Sequence, residues 1–203
     1  MNILISIIDY GMGNLRSVQK ALEYIGEKAV ITSNIEEILK SDGVILPGVG
    51  AFPDAMENLK EKSLDKALKE AVNKGIPTLG ICLGMQLLFS KGEEVRDCDG
   101  LGFFKGTIKK MYGDIKIPHM GWNSLKMEKQ CALLNGIDEE SYVYFVHSFY
   151  AEIEESGILN ATSKYGIDVP AVVSKGNLFG AQFHPEKSGD VGIKILKNFA
   201  SLI

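Results

Sequence analysis

One cysteine between two glycines is the sharpest chemical feature of the sequence. Cys82 stands in the segment GICLG (80–84), between a predicted strand and a predicted helix. This is the nucleophile-elbow pattern with cysteine in place of serine: small residues allow a sharp turn and leave the central side chain exposed at the sheet edge. Free N–H groups at the start of the helix favour a thiolate and can hold an oxyanion. A buried structural cysteine is the alternative, and the position in the turn favours the nucleophile.

A thiolate nucleophile needs a base that takes and returns a proton, and a third group that orients the base. His184 stands in the segment QFHPE (182–186), directly after a strand-like run that Pro185 interrupts. Glu186 lies two residues on, and in an extended segment it would face the same way as the imidazole. Such a carboxylate fixes the histidine tautomer and stabilises the imidazolium. Taken alone, His184 could equally be a hydrogen-bonded core residue, whereas together with Cys82 the pattern predicts a Cys-His-Glu triad.

A glycine-rich loop, PGVG (47–50), follows the third predicted strand and should end at the same sheet edge as Cys82. A backbone N–H there could approach a ligand closely and act as a second oxyanion donor beside Leu83. A plain strand-to-helix turn is the alternative.

Metal and dinucleotide sites are disfavoured by spacing. His119, His147 and His184 are scattered, and no paired Cys/His motif is present. The GMG segment (11–13) lacks the third glycine of a dinucleotide motif because Arg16 occupies that position, so a tight turn is expected. The acidic stretch Glu93–Asp99 is predicted to be a solvated loop.

The elements that must position these residues alternate in the first half of the chain. Strand-like runs precede helical patterns repeatedly, with a capping box predicted at Ser33 and Glu36. The predicted strands are 2–8, 28–32, 43–46 and 78–81, and the helical patterns include 14–25, a stretch ending at 73, and 83–89. This alternation predicts right-handed crossovers and a mostly parallel sheet, which is the α/β class.

The second half of the chain is strand-like from Gly100 to about Gln182. The segments FFKGTIKKM, SYVYFVHSFYAEI, VPAVVSK and LFGAQF predict antiparallel additions at the sheet edge. Residues 189–201 predict a closing amphipathic helix. Because no repeat or linker interrupts the pattern, residues 1–203 are expected to form a single domain.

Composition excludes several classes of protein. The chain has 203 residues, of which 45% are hydrophobic and 24% charged, as in ordinary globular domains. Its formal charge of −4 disfavours nucleic-acid binding. Three cysteines without a CxxC pair suggest reduced thiols and a cytoplasmic protein. The start MNILISIIDY fits neither a secretory signal nor a membrane span, so no membrane association is expected.

Six blocks spread in order over residues 8–188 resemble the triad-type (class I) glutamine amidotransferases. The blocks are IDYGMGNLRS (8–17), PGVGAF (47–52), GICLGMQLLF (80–89), PHMGWN (118–123), YFVHSFY (144–150) and GAQFHPEKS (180–188). The cysteine elbow and the HPE motif are common to the superfamily. The DYGMGN, PGVG and PHMGWN blocks look like those of the glutaminase subunits of imidazole glycerol phosphate synthases, from histidine biosynthesis.

The resemblance implies a flavodoxin-like glutaminase domain without a cofactor or metal. Cys82 would attack the glutamine carboxamide to give a thioester and ammonia, His184 would act as general acid and base, and Glu186 would orient it. The glutamine pocket would use Gly50, Gln86 and backbone groups of Ser148 and Phe149, and the oxyanion would be held by the backbone of Leu83 and of Val49 or its neighbour Gly50.

The resemblance also implies a partner, a cyclase subunit with a (β/α)₈ barrel that forms a heterodimer with this chain. Ammonia released into neutral water becomes ammonium, which is no nucleophile, so internal transfer is needed. Because few residues follow the HPE motif in this sequence, the synthase activity is expected to come from a separate chain. Trp122, Tyr144 and Lys187 would lie at the interface, although a core Trp122 and a solvated Lys187 are alternatives. His119 and His147 are expected to make loop and strand hydrogen bonds.

Three other functions stay open from the sequence. The chain could be the glutaminase subunit of another synthase, of the anthranilate or pyridoxal phosphate type. It could be a non-catalytic regulatory subunit that keeps the fold, although the intact triad argues against this. It could also be a stand-alone cysteine hydrolase of γ-glutamyl peptides, which would be highly active without a partner.

Overall fold

The computed structural model describes residues 4–203, and the first two residues of the predicted strand 2–8 lie outside it. Strands and helices alternate through the first half, as predicted. The helices are α1 (Leu15–Tyr24), α2 (Ile35–Lys40), α3 (Phe52–Glu61), α4 (Leu64–Asn73), α5 (Leu83–Leu87) and α6 (Gly189–Ala200). The strands are β1 (Leu4–Ile8), β2 (Lys28–Thr32), β3 (Gly43–Gly48), β4 (Thr78–Cys82), β5 (Phe89–Gly92), β6 (Cys98–Asp99), β7 (Phe104–Lys110), β8 (His119–Ser124), β9 (Lys126–Met127), β10 (Tyr142–His147), β11 (Phe149–Ile153), β12 (Leu159–Tyr165), β13 (Ile167–Lys175) and β14 (Leu178–Ala181).

The largest sheet has the strand order β2-β1-β3-β4-β14-β13-β12-β9. Its first five strands are parallel, and β13, β12 and β9 extend it antiparallel, which confirms the predicted α/β class. The prediction for LFGAQF was wrong in one respect, because β14 is an interior strand, parallel to β4 and antiparallel to β13, rather than an addition at the sheet edge. All four residues of β14 are buried, as parallel strands covered on both faces require.

Two smaller sheets stand apart from the main one. The pair β8–β10 is antiparallel, and a second sheet has the order β11-β7-β5-β6. The segment SYVYFVHSFYAEI therefore is not one strand: it divides at Ser148 into β10 and β11, which belong to different sheets. This division brings residues 146–149 over the end of β4, where the candidate site lies.

Two helix boundaries differ from the predicted ones. Helix α5 ends at Leu87, and Phe89 starts β5, because its ring packs on that of Phe104 at 5.4 Å between centroids. Asn34 rather than Ser33 caps α2, since its side-chain oxygen accepts the N–H groups of Glu36 and Glu37.

The two faces of the main sheet bury separate apolar clusters. Helices α1 and α6 cover one face, where Leu22 and Phe199 belong to the same apolar cluster as Ile5. Helices α2, α3 and α4 cover the other, where Leu59 and Leu68 join a cluster. Packing on both faces fixes the sheet and hence the positions of its strand ends. Within residues 4–203, no helix is long and apolar enough to cross a membrane.

Candidate active site

The turn between β4 and α5 is strained at the cysteine itself. Cys82 has φ 54° and ψ −112°, a conformation that non-glycine residues rarely adopt and that clusters at functional sites. The flanking glycines serve close packing rather than the turn: a Cβ on Gly84 would lie 1.7 Å from the Leu46 carbonyl oxygen, and one on Gly80 would lie 2.7 Å from that of Gly84. The expectation that the glycines make the turn is thus corrected, and the strain falls on Cys82.

Cys82 lies on the floor of a cavity of about 340 Å³ and is only 6% exposed. The expected exposed side chain is therefore buried, because Val146 and the residues after it cover the elbow. The Cys82 sulfur lies 3.9 Å from the Val146 carbonyl oxygen and 3.8 Å from Nε2 of Gln182.

His184 and Glu186 form a buried pair beside Cys82. Nδ1 of His184 lies 2.8 Å from Oε1 of Glu186, and their side chains are 3% and 1% exposed. The Glu186 side chain reaches the ring from a 3₁₀ turn, Pro185–Lys187, and not from the extended segment that was expected, because Pro185 begins the turn. The other ring nitrogen, Nε2, is buried without a hydrogen bond to residues 4–203.

The electrostatics of His184 follow from this placement. Burial lowers the pKa of His184, but its interactions with Cys82 and Glu186 outweigh burial and raise the pKa to about 10. Glu186 thus holds one side of the imidazole, and the other side is free to exchange a proton at the cavity beside the sulfur.

The remaining predicted pocket residues line the same cavity. Gly48 pairs with Cys82 across β3 and β4, so the PGVG loop does end at the same sheet edge as the cysteine. The cavity wall includes the predicted donors and contacts Val49, Gly50, Leu83, Gln86, Ser148 and Phe149.

Gln86 has its side-chain amide oriented by two acceptors. Its Nε2 donates to the Phe149 carbonyl at 3.1 Å and to Oε1 of Gln182 at 3.0 Å. Because both N–H groups are used, Oε1 of Gln86 is the atom left to contact a ligand. The Phe149 carbonyl, in contrast, is already engaged inside the protein.

Three residues of the site were not singled out from the sequence. Gln182 bridges Gln86 and Cys82, and it lies in the same QFHPE segment as His184. Tyr10 is buried beneath the PGVG loop and donates to the Pro47 carbonyl at 2.9 Å, and burial followed by the nearby Cys82 raises its pKa. Glu94, from the acidic stretch expected to be solvated, lines the cavity and accepts the N–H of Phe52 at 2.8 Å. Only contacts with residues far away in the sequence distinguish these three residues from others of their type, so no local signal could have found them.

The predicted interface residues lie at the surface near the cavity. Trp122 and Tyr144 face each other across β8 and β10 with ring centroids 6.1 Å apart and an interplanar angle of 74°. Trp122 is 55% exposed, which excludes a core position, and Met120 on the same strand is exposed as well. Lys187 is exposed in the turn that carries Glu186.

His119 and His147 are buried strand residues that hydrogen-bond to each other, in agreement with their expected role. In the described part of the chain, no group of three His, Cys, Asp or Glu side chains is arranged to hold a metal ion.

A cysteine elbow with a His-Glu pair on a flavodoxin-like sheet defines a class I glutamine amidotransferase, and the family model described as glutamine amidotransferase class-I matches residues 6–202. The HisH subunits of imidazole glycerol phosphate synthase from Bacillus cereus (strain B4264) and Bacillus thuringiensis (strain Al Hakam) are each 58% identical over 200 residues, covering 98% of this chain and 95% of the relative. The chain belongs to this HisH family within the class I glutamine amidotransferases.

A solved structure extends the likeness of fold. PurLQS from Thermotoga maritima aligns with a TM-score of 0.80 at 20% identity, covering 100% of this chain and 99% of that one. At this level of identity the match supports the shared architecture alone.

Proposed function

We propose that this chain is the glutaminase subunit of an imidazole glycerol phosphate synthase. It hydrolyses L-glutamine to glutamate and ammonia and supplies the ammonia to a cyclase subunit in histidine biosynthesis. The observation that carries the proposal is the buried His184–Glu186 pair, with a 2.8 Å hydrogen bond, beside the strained Cys82 on a cavity floor. A regulatory subunit without catalysis would gain nothing from this strain.

The reaction starts when the Cys82 sulfur attacks the side-chain carbonyl carbon of glutamine. The protonated Nε2 of His184 gives its proton to the departing nitrogen, so ammonia leaves and a γ-glutamyl thioester remains. A water molecule then attacks the thioester, and His184 takes the water's proton as glutamate is released. Glu186 holds Nδ1–H of the ring and stabilises the imidazolium at both stages.

Substrate binding follows from the polar groups on the cavity wall. Oε1 of Gln86 can accept from an N–H of glutamine, and the Glu94 carboxylate can pair with the α-ammonium. The backbone of Leu83, together with that of Val49 or Gly50, is proposed to hold the oxyanion of the tetrahedral intermediate. Backbone groups of Ser148 and Phe149 complete the pocket.

The proposed partner is a cyclase with a (β/α)₈ barrel, forming a heterodimer on the face that carries Trp122, Tyr144 and Lys187. Trp122 is exposed and packs edge-on against the half-buried Tyr144, and aromatic residues at a surface suit such an interface because they bury large area at little entropic cost. We further propose that residues 1–203 act as one domain, without cofactor, in the cytoplasm. The free thiols of Cys82, Cys98 and Cys131 fit a reducing compartment.

The test is glutamine hydrolysis by Cys82→Ala in the assembled pair, with Cys131→Ala as the matched control. We expect Cys82→Ala to lose turnover and Cys131→Ala to keep it, because Cys131 lies outside the cavity. Appreciable turnover by Cys82→Ala would refute the assigned nucleophile. Mixing the chain with cyclase, anthranilate and pyridoxal phosphate synthases in turn separates the remaining alternatives by which one yields glutamine-dependent product.

A further inference from the structure

Two histidines outside the triad belong to a continuous chain of hydrogen bonds that ends at the cavity wall. Nε2 of His119 lies 3.3 Å from Nδ2 of Asn123, and Nδ1 of His119 lies 3.1 Å from Nε2 of His147. Nδ1 of His147 lies 2.8 Å from the Phe149 carbonyl oxygen. Both rings are buried, and His147 also lines the cavity.

In this series of hydrogen bonds, only one assignment of donors and acceptors satisfies every atom. A carbonyl oxygen can only accept, so Nδ1 of His147 carries the hydrogen. Burial lowers the pKa of both His119 and His147 to about 4, which keeps both rings neutral at pH 7. Nε2 of His147 must then accept from Nδ1–H of His119, and Nε2 of His119 accepts from the amide of Asn123.

The Phe149 carbonyl joins this chain to the glutamine pocket. The same oxygen accepts Nε2 of Gln86 at 3.1 Å, Gln86 donates onward to Gln182, and Gln182 reaches the Cys82 sulfur. If the Gln86 amide were flipped, its Oε1 would face two acceptors, the Phe149 carbonyl and Oε1 of Gln182. Fixing the Phe149 carbonyl therefore fixes which atom Gln86 presents to the cavity.

We propose that His119 and His147 are positioning residues of the glutamine site: acting as two neutral imidazoles in series, they hold the Phe149 carbonyl so that Gln86 turns Oε1 toward the substrate. The proposal rests on the glutaminase function above and deepens it. His147 lines the cavity, but the proposed effect of both histidines passes through Phe149 and Gln86.

A packing role for the same rings predicts different behaviour. His119 stacks on Tyr165 at 3.9 Å and on Phe145 at 4.6 Å between centroids, so it also fills space. An apolar side chain of similar size would preserve packing but not the hydrogen bonds, whereas Asn at position 147 would keep a donor near Nδ1 and lose the shape of the ring. These two replacements separate the roles.

The experiment compares His147→Leu and His147→Asn for glutamine hydrolysis with the cyclase partner present. We expect His147→Leu to raise KM for glutamine about tenfold, with a smaller change in kcat, because one oriented contact to bound glutamine is lost. His147→Asn should reverse part of this rise, so that its KM is at least about twofold lower than that of His147→Leu. The control is Val143→Ala, a buried residue of the same strand β10 outside the hydrogen-bond chain, which should lower stability and leave KM unchanged.

An unchanged KM in His147→Leu, or a His147→Asn no better than His147→Leu, would overturn the inference while wild-type turnover still upheld the glutaminase function. Absence of wild-type turnover with every partner would instead refute the function, and the inference with it. A second measurement needs no variant to fold: ¹⁵N-histidine NMR of the wild type should show both rings neutral with the hydrogen on Nδ1 at pH 7. The titratable groups that face them are each other, His184 and Tyr165. A charged ring, or a hydrogen on Nε2 of either one, would contradict the proposal.

Discussion

At the scale of single residues, the candidate triad combines a strained backbone at Cys82 with a buried His184 and the charged Glu186. Cys82 takes the unfavourable backbone conformation, and the packed glycines around it prevent relaxation. His184 is buried, yet two neighbours favour its protonated form. Removing either neighbour should therefore change the protonation of His184 more than it changes the fold.

Glu186→Gln tests the orientation of the imidazole. Glutamine keeps the size of the side chain but removes its charge, and its amide can turn an N–H toward Nδ1 and so favour the wrong tautomer. We expect kcat to fall by about 10³–10⁴-fold, as for other triads whose carboxylate is neutralised. Steady-state kinetics measures this, with Glu152→Gln, a surface partner of Lys109, as the control that should keep full turnover. A loss of less than about tenfold would remove Glu186 from the triad.

The raised pKa of His184 predicts a pH-dependent stability. Because the folded pKa is about 10 and the ordinary value is 6.5, protonation of His184 stabilises the folded chain fully below pH 6.5, and this contribution disappears as the pH rises toward 10. The difference in free energy of unfolding between wild type and His184→Asn should thus shrink between these two pH values. Urea unfolding at a series of pH values measures it, and a difference that stays constant would contradict the assigned pKa.

At the scale of elements, the elbow depends on how closely α5 approaches β3. Gly84 lies so near the Leu46 carbonyl that a methyl group has no room without a backbone shift. The sequence shows the glycines but not this reason for them. The alternation of strands and helices through β4 could be predicted from the sequence, because a local pattern sets each of those elements.

Gly84→Ala is expected to lower the free energy of unfolding by about 3 kcal/mol or more, because the clash is with backbone atoms. The matched control is Gly157→Ala, where φ is +82° and no heavy atom lies within 4 Å of the added Cβ. This control should cost about 1 kcal/mol through backbone strain alone and should leave glutaminase kinetics intact. Denaturant unfolding of both variants tests the contrast, and equal losses would show that close approach is not what requires glycine at 84.

The parts of the fold and site that the sequence could not predict are those set by distant pairing. The parallel position of β14 beside β4 joins strands about a hundred residues apart, and no local pattern separates it from an antiparallel strand. Gln182, Tyr10 and Glu94 are ordinary polar residues until the fold brings them to the elbow. Cys82, His184 and Glu186 could be proposed together from the sequence, because a cysteine elbow and an HPE segment each carry a local signature. Their assignment as a catalytic triad stays a prediction.

At the scale of the whole molecule, strand β10 borders the cavity and pairs with β8, which carries the exposed side chains of Met120 and Trp122. Strands β8 and β10 present Trp122 and Tyr144 outward while His119 and His147 point inward on the same two strands. The two-stranded ribbon β8–β10 therefore carries the proposed partner face on one side. On its other side it carries the hydrogen bonds through His119 and His147 that reach the glutamine pocket.

Trp122→Ala tests the proposed partner face. We expect the cyclase to bind about 30-fold more weakly, which corresponds to about 2 kcal/mol for a central aromatic residue of an interface. Titration calorimetry with the purified cyclase measures the change. Tyr24→Ala serves as the control, because Tyr24 is 79% exposed at the end of α1 and lies outside the β8–β10 ribbon. Equal affinities for wild type and Trp122→Ala would place the interface elsewhere.

The most direct test of the central claim is to trap the thioester. The chain, assembled with its cyclase and mixed with glutamine, is quenched in acid and digested, and the cysteine peptides are analysed by mass spectrometry. The account predicts a γ-glutamyl group on the peptide that contains Cys82, and none on those that contain Cys98 or Cys131. Rapid release of glutamate without any adduct at Cys82, or an adduct on another cysteine, would contradict it.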